Sequence, residues 1–252
     1  MLGMRCRRAG WKAHKTACAA HKKGLQYLAH FDVDGETTKH ASWCAPLINT
    51  LSKSKTRSPY LVESLKAMEE VFNHPIRLSA IFCSSGDYAK RGQREMWKLT
   101  RSYVEDGGRF LLGGPGVSHM RHDAINEMMS GLGLSWGMYE YMRTTHFRND
   151  ANPLFASLPA KAAARTLLPK SYSMKSIVLK GVADQDALYR STSESKVESI
   201  AMLMGGGEVI PGEVGAATTK VGQGWISWIG DVNQEEGSNH TACFLLGLEA
   251  YR

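Results

Sequence analysis

The residues with the clearest chemical potential stand at the start of the chain. Cys6, His14 and Cys18 follow the spacing Cys-x7-His-x3-Cys, with Trp11 three residues before the histidine. Thiolate and imidazole are donors that zinc takes, and His14 and Cys18, four apart, share one face of a helix. Cys6 would stand at the entry to that helix. Further along, three segments gather small or polar groups where strands are expected to end. They are Cys83-Ser84-Ser85-Gly86-Asp87, then Gly113-Gly114-Pro115-Gly116 with His119 and His122 beyond it, and Asp231-Val232-Asn233-Gln234-Glu235. The glycine-rich turn gives the backbone freedom to approach an anion at a helix start. It is not a Walker loop, because no Gly-Lys-Ser/Thr follows. Asp231, Asn233 and Glu235 could ligate a hard cation or bond nearby backbone amides. Cys83 could be a reactive thiol or a buried strand cysteine.

Those groups need elements to hold them. The chain has 252 residues, 43% of them apolar and 22% charged, which excludes wholesale disorder. No run approaches about 18 apolar residues, so no membrane-spanning helix is expected. The net charge of +7 is localised. Residues 1–30 hold seven of the 31 bases and none of the 24 acids, leaving the rest formally neutral. A neutral body with a basic handle argues against a nucleic-acid surface across the fold, and the handle has only Trp11 and Tyr27 for stacking. Five cysteines at irregular spacing, with no apolar secretory leader, read as free or metal-bound thiols inside the cell, in cytoplasm or nucleus.

Residues 29–57 are polar and read as a linker, so the folded domain is expected to span 58–252. Ser58-Pro59 reads as the start of a helix running to about Phe72. A strand over 78–83, a helix over 93–105, a strand over 109–112 and a helix over 122–130 follow. This βαβ rhythm predicts an α/β fold, mainly a parallel sheet flanked by helices. A β-rich stretch from Trp136 to Phe147 comes next. Short strands are expected at 176–179, 187–190, 199–204, 215–221 and 225–229, a hairpin turn at 205–207, and a closing helix over 240–250.

The tail resembles the C-terminal half of a MYND-type zinc finger, with Cys6, Trp11, His14, Lys15 and Cys18 matching position by position. Leu2 stands where that family has a cysteine, and the earlier ligands are absent. The resemblance implies zinc in an intact finger, weak or absent zinc here, and recognition of proline-containing peptides in partner proteins. It also implies that the chain starts inside a finger. A basic amphipathic helix or a mitochondrial presequence are the other readings of this tail.

Residues 76–250 look like the class I glutamine amidotransferase-like fold, in its non-catalytic and ThuA-like branches. The resemblance rests on Tyr103-Val-Glu-Asp-Gly107-Gly108 before a buried strand, on Asn126-Glu-Met-Met-Ser-Gly-Leu-Gly133, and on Val221-Gly-Gln-Gly224-Trp-Ile-Ser-Trp-Ile-Gly230-Asp231. Catalytic members carry a cysteine nucleophile where this chain has Gly114, and a histidine where it has Asp231-Val232-Asn233. The resemblance therefore implies a pseudoenzyme: a non-catalytic interaction protein with a ligand crevice at the strand ends, lined by Ser84, Asp87, Gly114, His119, Asp231 and Asn233. The alternative is a ThuA-like hydrolase or sugar-modifying enzyme that uses the same crevice.

Overall fold

The computed structural model describes residues 28–33, 49, 60–74, 78–200 and 211–248. Cys6, His14 and Cys18, with the zinc finger expected around them, lie outside these residues, as does the turn expected at 205–207.

Strands are numbered in chain order. One half of the sheet is parallel and runs β2 (Tyr60–Val62), β1 (Leu28–Phe31), β3 (Ala80–Cys83), β4 (Arg109–Leu112), β10 (Gly224–Ile229). From β10 the sheet turns antiparallel through β9 (Val214–Val221), β6 (Ser171–Lys180), β5 (Gly137–Arg148) and β7 (Ala187–Arg190), while β8 (Val197–Ile200) pairs with β5. Because β7 also pairs with β9, the strands β9, β6, β5 and β7 close into an antiparallel barrel.

This overturns the expected fold class. The described residues form ten strands and six helices, and antiparallel pairings outnumber parallel ones, so the molecule is not a mainly parallel sheet flanked by helices. The reason lies in β5 and β6, which pair in register along almost their whole length. In β5 the buried positions alternate, but Thr144 and His146 occupy two of them, as Ser176 does in β6. Polar residues at inward positions erase the apolar alternation that marks antiparallel strands.

Helices α1 (Leu65–Phe72), α2 (Arg94–Glu105) and α3 (His122–Gly131) cover one face of the parallel half. There Met68, Trp97, Val104 and Met128 pack with Phe31, Ile81, Phe110 and Trp228. The other face carries α4 (Pro153–Ala156), α5 (Ala163–Leu167) and α6 (Glu236–Leu245), where Phe155, Ala164 and Phe244 meet Phe82, Leu111 and Ile229. Each fully buried large side chain contributes about 1.5–3 kcal/mol.

Two boundaries differ from the sequence reading. Helix α1 starts at Leu65 and is capped by Ser64, whose Oγ accepts from the Ala67 amide at 3.2 Å, and residues after Ser58-Pro59 form β2 instead. The stretch 29–57, read as a linker, begins inside β1, which lies between β2 and β3. Leu-Ala-His-Phe is only four residues long and lacks a β-branched side chain, so local propensity does not mark it as a strand. No described helix is long and apolar enough to cross a membrane.

Candidate functional site

The C-terminal ends of β3 and β4 lie side by side, and each runs into a tight 3-10 turn, Gly86–Ala89 and Pro115–His119 respectively. Ser85 fixes the first turn, its Oγ accepting from the Asp87 amide at 3.2 Å. Gly114 leads the second with φ at +89°, in the left-handed region where a side chain is strained. A Cβ there would also stand 3.0 Å from the Ser84 Cβ. The two turns and the start of α3 enclose a cleft of about 470 Å³.

The cleft is ringed by charge. Asp87 and His119 line it together with Lys90, Arg91, Arg121 and Asp123. Lys90 pairs with Asp87 at 2.5 Å, and Arg121 with Asp123 at 3.0 Å. The Arg121 hydrogen bond holds the Asp123 carboxyl below its ordinary range, and the same contact raises the guanidinium. Arg91 is looser. Its nearest described carboxylates are those of Asp123 at 3.9 Å and Glu127 at 4.0 Å, and Glu127 is already engaged by Arg94 at 2.9 Å.

Ser84 is close by but does not line the cleft. It is fully buried, with its Oγ 2.8 Å from His30 Nε2 in β1. The hydroxyl also lies 3.3 Å from the Phe31 carbonyl oxygen, so it has two acceptors within reach. His30, 4% exposed and stacked on Phe82, is held neutral: burial lowers its pKa to about 4 against the opposing charge of Asp32. Cys83 is buried in β3 and forms no disulfide.

Asp231 and Asn233 lie at the end of β10 and do not line the cleft. Asp231 is fully buried, and its two oxygens accept from the amides of Asn233 and Glu235, both at 2.9 Å. Burial pushes its carboxyl well above the usual range, helped by the adjacent Glu235. Burial also tends to raise Glu235, but hydrogen bonds from Asp231 and from Arg143, at 2.8 Å, outweigh it and hold Glu235 low. Asp231 therefore organises the turn into α6. Among the described residues no group of three or more His, Cys, Asp or Glu is placed to hold a metal ion.

The expected crevice thus divides. Asp87 and His119 share the cleft, Gly114 and Ser84 form its buried support, and Asp231 and Asn233 belong to another turn. Sequence reasoning missed His30, Lys90, Arg91, Arg121 and Asp123. The available signal was a pair of basic clusters, Lys90-Arg91 and Arg121-His122, each just beyond a strand-end turn.

The sequence matches no family model and no curated protein. In structure, the chain is similar to a β-galactosidase from Bacillus circulans sp. alkalophilus, at 10% identity and a TM-score of 0.51, over 88% of this chain and 30% of that one. That likeness concerns the fold alone, and this chain spans less than a third of the enzyme. It is also similar to a protein described as ThuA-like from Bacteroides uniformis, at 10% identity and a TM-score of 0.49, over 87% of this chain and 89% of that one. A second protein so described, from Parabacteroides merdae, gives 12%, 0.48, 90% and 89% respectively.

Proposed function

We propose that the chain is a non-catalytic binding protein whose strand-end cleft takes a small anionic ligand. The observation that carries this reading is Arg91. It borders the cleft, its side chain is 83% exposed, and its nearest described carboxylates stand at 3.9 and 4.0 Å, so no close ion pair competes with an incoming anion for the guanidinium. Lys90, Arg121 and His119 stand around the same space, so an anion would meet several donors at once. The absence of thiol chemistry is supported by Gly114, where strain and the approach of Ser84 oppose any side chain. For the tail we propose the role its resemblance implies: contact with proline-containing peptides of partner proteins, with Cys6, His14 and Cys18 holding zinc weakly or not at all.

Calorimetric titration of the full chain with inorganic phosphate, citrate and a nucleoside monophosphate tests the cleft. At least one should bind, more weakly as salt is raised. Arg91→Glu and Arg121→Glu should each lower its affinity tenfold or more, about 1.4 kcal/mol. Failure of all three to bind at millimolar concentration, or equal binding by the variants, would overturn the reading.

A further inference from the structure

At the cleft wall a carboxylate of the chain itself already takes the donors that an anion would use. Asp123 stands in the first turn of α3. Its Oδ1 accepts from Arg121 Nε at 3.0 Å and its Oδ2 from Arg121 Nη2 at 3.3 Å, a two-pronged contact between planar groups. The backbone amides of Asp123 and Ala124 bond the same carboxylate. Arg91, just beyond the first 3-10 turn, brings its Nη2 to 3.9 Å from Oδ2. Two guanidinium groups and two amides therefore converge on one anionic centre, and all three side chains line the cleft.

The contact is a poor structural clamp. The side chains of Arg121 and Asp123 are 83% and 51% exposed, and an ion pair so placed contributes little to stability. The Asp123 carboxylate can swing away at little cost to the fold. What displaces it is decided by charge. An incoming single carboxylate exchanges like for like: it makes the same fork with Arg121 and still loses its own freedom of movement. A phosphate group carries about −1.5 to −2 charge at pH 7 and three acceptor oxygens, so it can hold the fork and draw in Arg91 as well.

We propose that Asp123 is the charge filter of the cleft, an internal occupant that yields to a phosphate group and excludes single carboxylates. The inference rests on the anion-binding reading of the cleft and gives that ligand its chemistry: a phosphate dianion, free or as a monoester. Asp123 is thus a specificity-determining residue, because it competes for the same donors as the ligand.

The full chain and Asp123→Asn are titrated calorimetrically with inorganic phosphate, a nucleoside monophosphate and acetate at fixed ionic strength. The native chain should bind phosphate or the monoester and give no acetate signal, and the tighter of the first two tells free phosphate from ester. Asp123→Asn should bind the phosphate ligand at least about tenfold more tightly, and should now bind acetate. Glu127→Gln is the control for general charge. Glu127 lies one turn further along α3, where it pairs with Arg94 at 2.9 Å, and its loss leaves Arg121 held by Asp123. That variant should alter phosphate affinity by less than about threefold. The Arg121 Nε–H signal in nitrogen-15 spectra, assigned by its loss in Arg121→Lys, follows the exchange directly. It should move in Asp123→Asn and return toward its native position as acetate is added. Phosphate bound no more tightly by Asp123→Asn, an equal gain in Glu127→Gln, or native binding of acetate as tight as that of phosphate would overturn the filter while leaving an anion site in the cleft. Binding of no anion by either chain would remove that site and the filter with it.

Discussion

A buried carboxyl group without a partner makes stability depend on pH. Glu213 is 5% exposed, neither of its oxygens has a hydrogen-bond partner, and burial, followed by the charge of Glu140, raises its pKa to about 7 from an ordinary 4.5. Between those values the folded chain holds a proton that the unfolded chain has released. Stability therefore falls as pH rises across that window. Glu213→Gln removes the titration, so its stability relative to the native chain should grow by about 1–3 kcal/mol between pH 4.5 and 8. Urea unfolding at several pH values measures it, and parallel curves would contradict the assignment. His30 and His146 act with the opposite sign. Their lowered pKa values mean that the unfolded state binds protons first, so their contribution is lost as pH falls from 6.5 through about 4. At this scale the sequence showed only part of the site. Asp87 and His119 could be read because short polar residues after a buried strand fall at a sheet end. Arg91 and Arg121 could not, since an exposed base at a cleft has the same local pattern as one in open solvent. His30 was hidden because its strand was taken for linker.

The element that most shapes the site is the turn between β4 and α3. Gly114 combines a positive φ with a close approach to Ser84, and Gly116 packs tightly on the Ser84 carbonyl. Gly114→Ala should destabilise the protein by about 1–3 kcal/mol, from left-handed backbone strain and the contact with Ser84. Denaturant midpoints would show it, and a neutral result would mean the turn can relax. The boundaries of β4 and the main span of α2 and α3 were legible, because a short apolar run or helical spacing is closed there by glycine. The barrel was not. Its closure depends on β7 pairing with both β5 and β9, and pairing partners leave no local trace. Moreover, the inward polar residues Thr144, His146 and Ser176 disguise its strands.

At the scale of the whole molecule, the decisive question is where the folded body begins. The composition marks residues 29–57 as polar, and a chain cut at 58 keeps nearly every apolar run. Yet β1 lies in the interior of the parallel half, pairing with β2 on one side and β3 on the other. Phe31, among the largest fully buried side chains, and Ala29 pack in the core beneath α1. Removing β1 strips the ladder from β3, leaves β2 without its partner and deletes Phe31. Loss of a buried phenylalanine side chain alone costs about 3–5 kcal/mol, a large part of an ordinary domain's stability of about 5–15 kcal/mol. Deletion of residues 1–23, which removes all seven tail bases but spares β1, should by contrast shift the melting midpoint by only a few degrees. About 1 kcal/mol corresponds to ~2–4 °C in a chain of this length. Circular dichroism melts of the full chain, of residues 24–252 and of residues 58–252 decide the matter. The first two should melt cooperatively and nearly together, and the third should be unfolded or aggregated. A cooperative melt of residues 58–252 within a few degrees of the full chain would show that β1 is dispensable to the sheet.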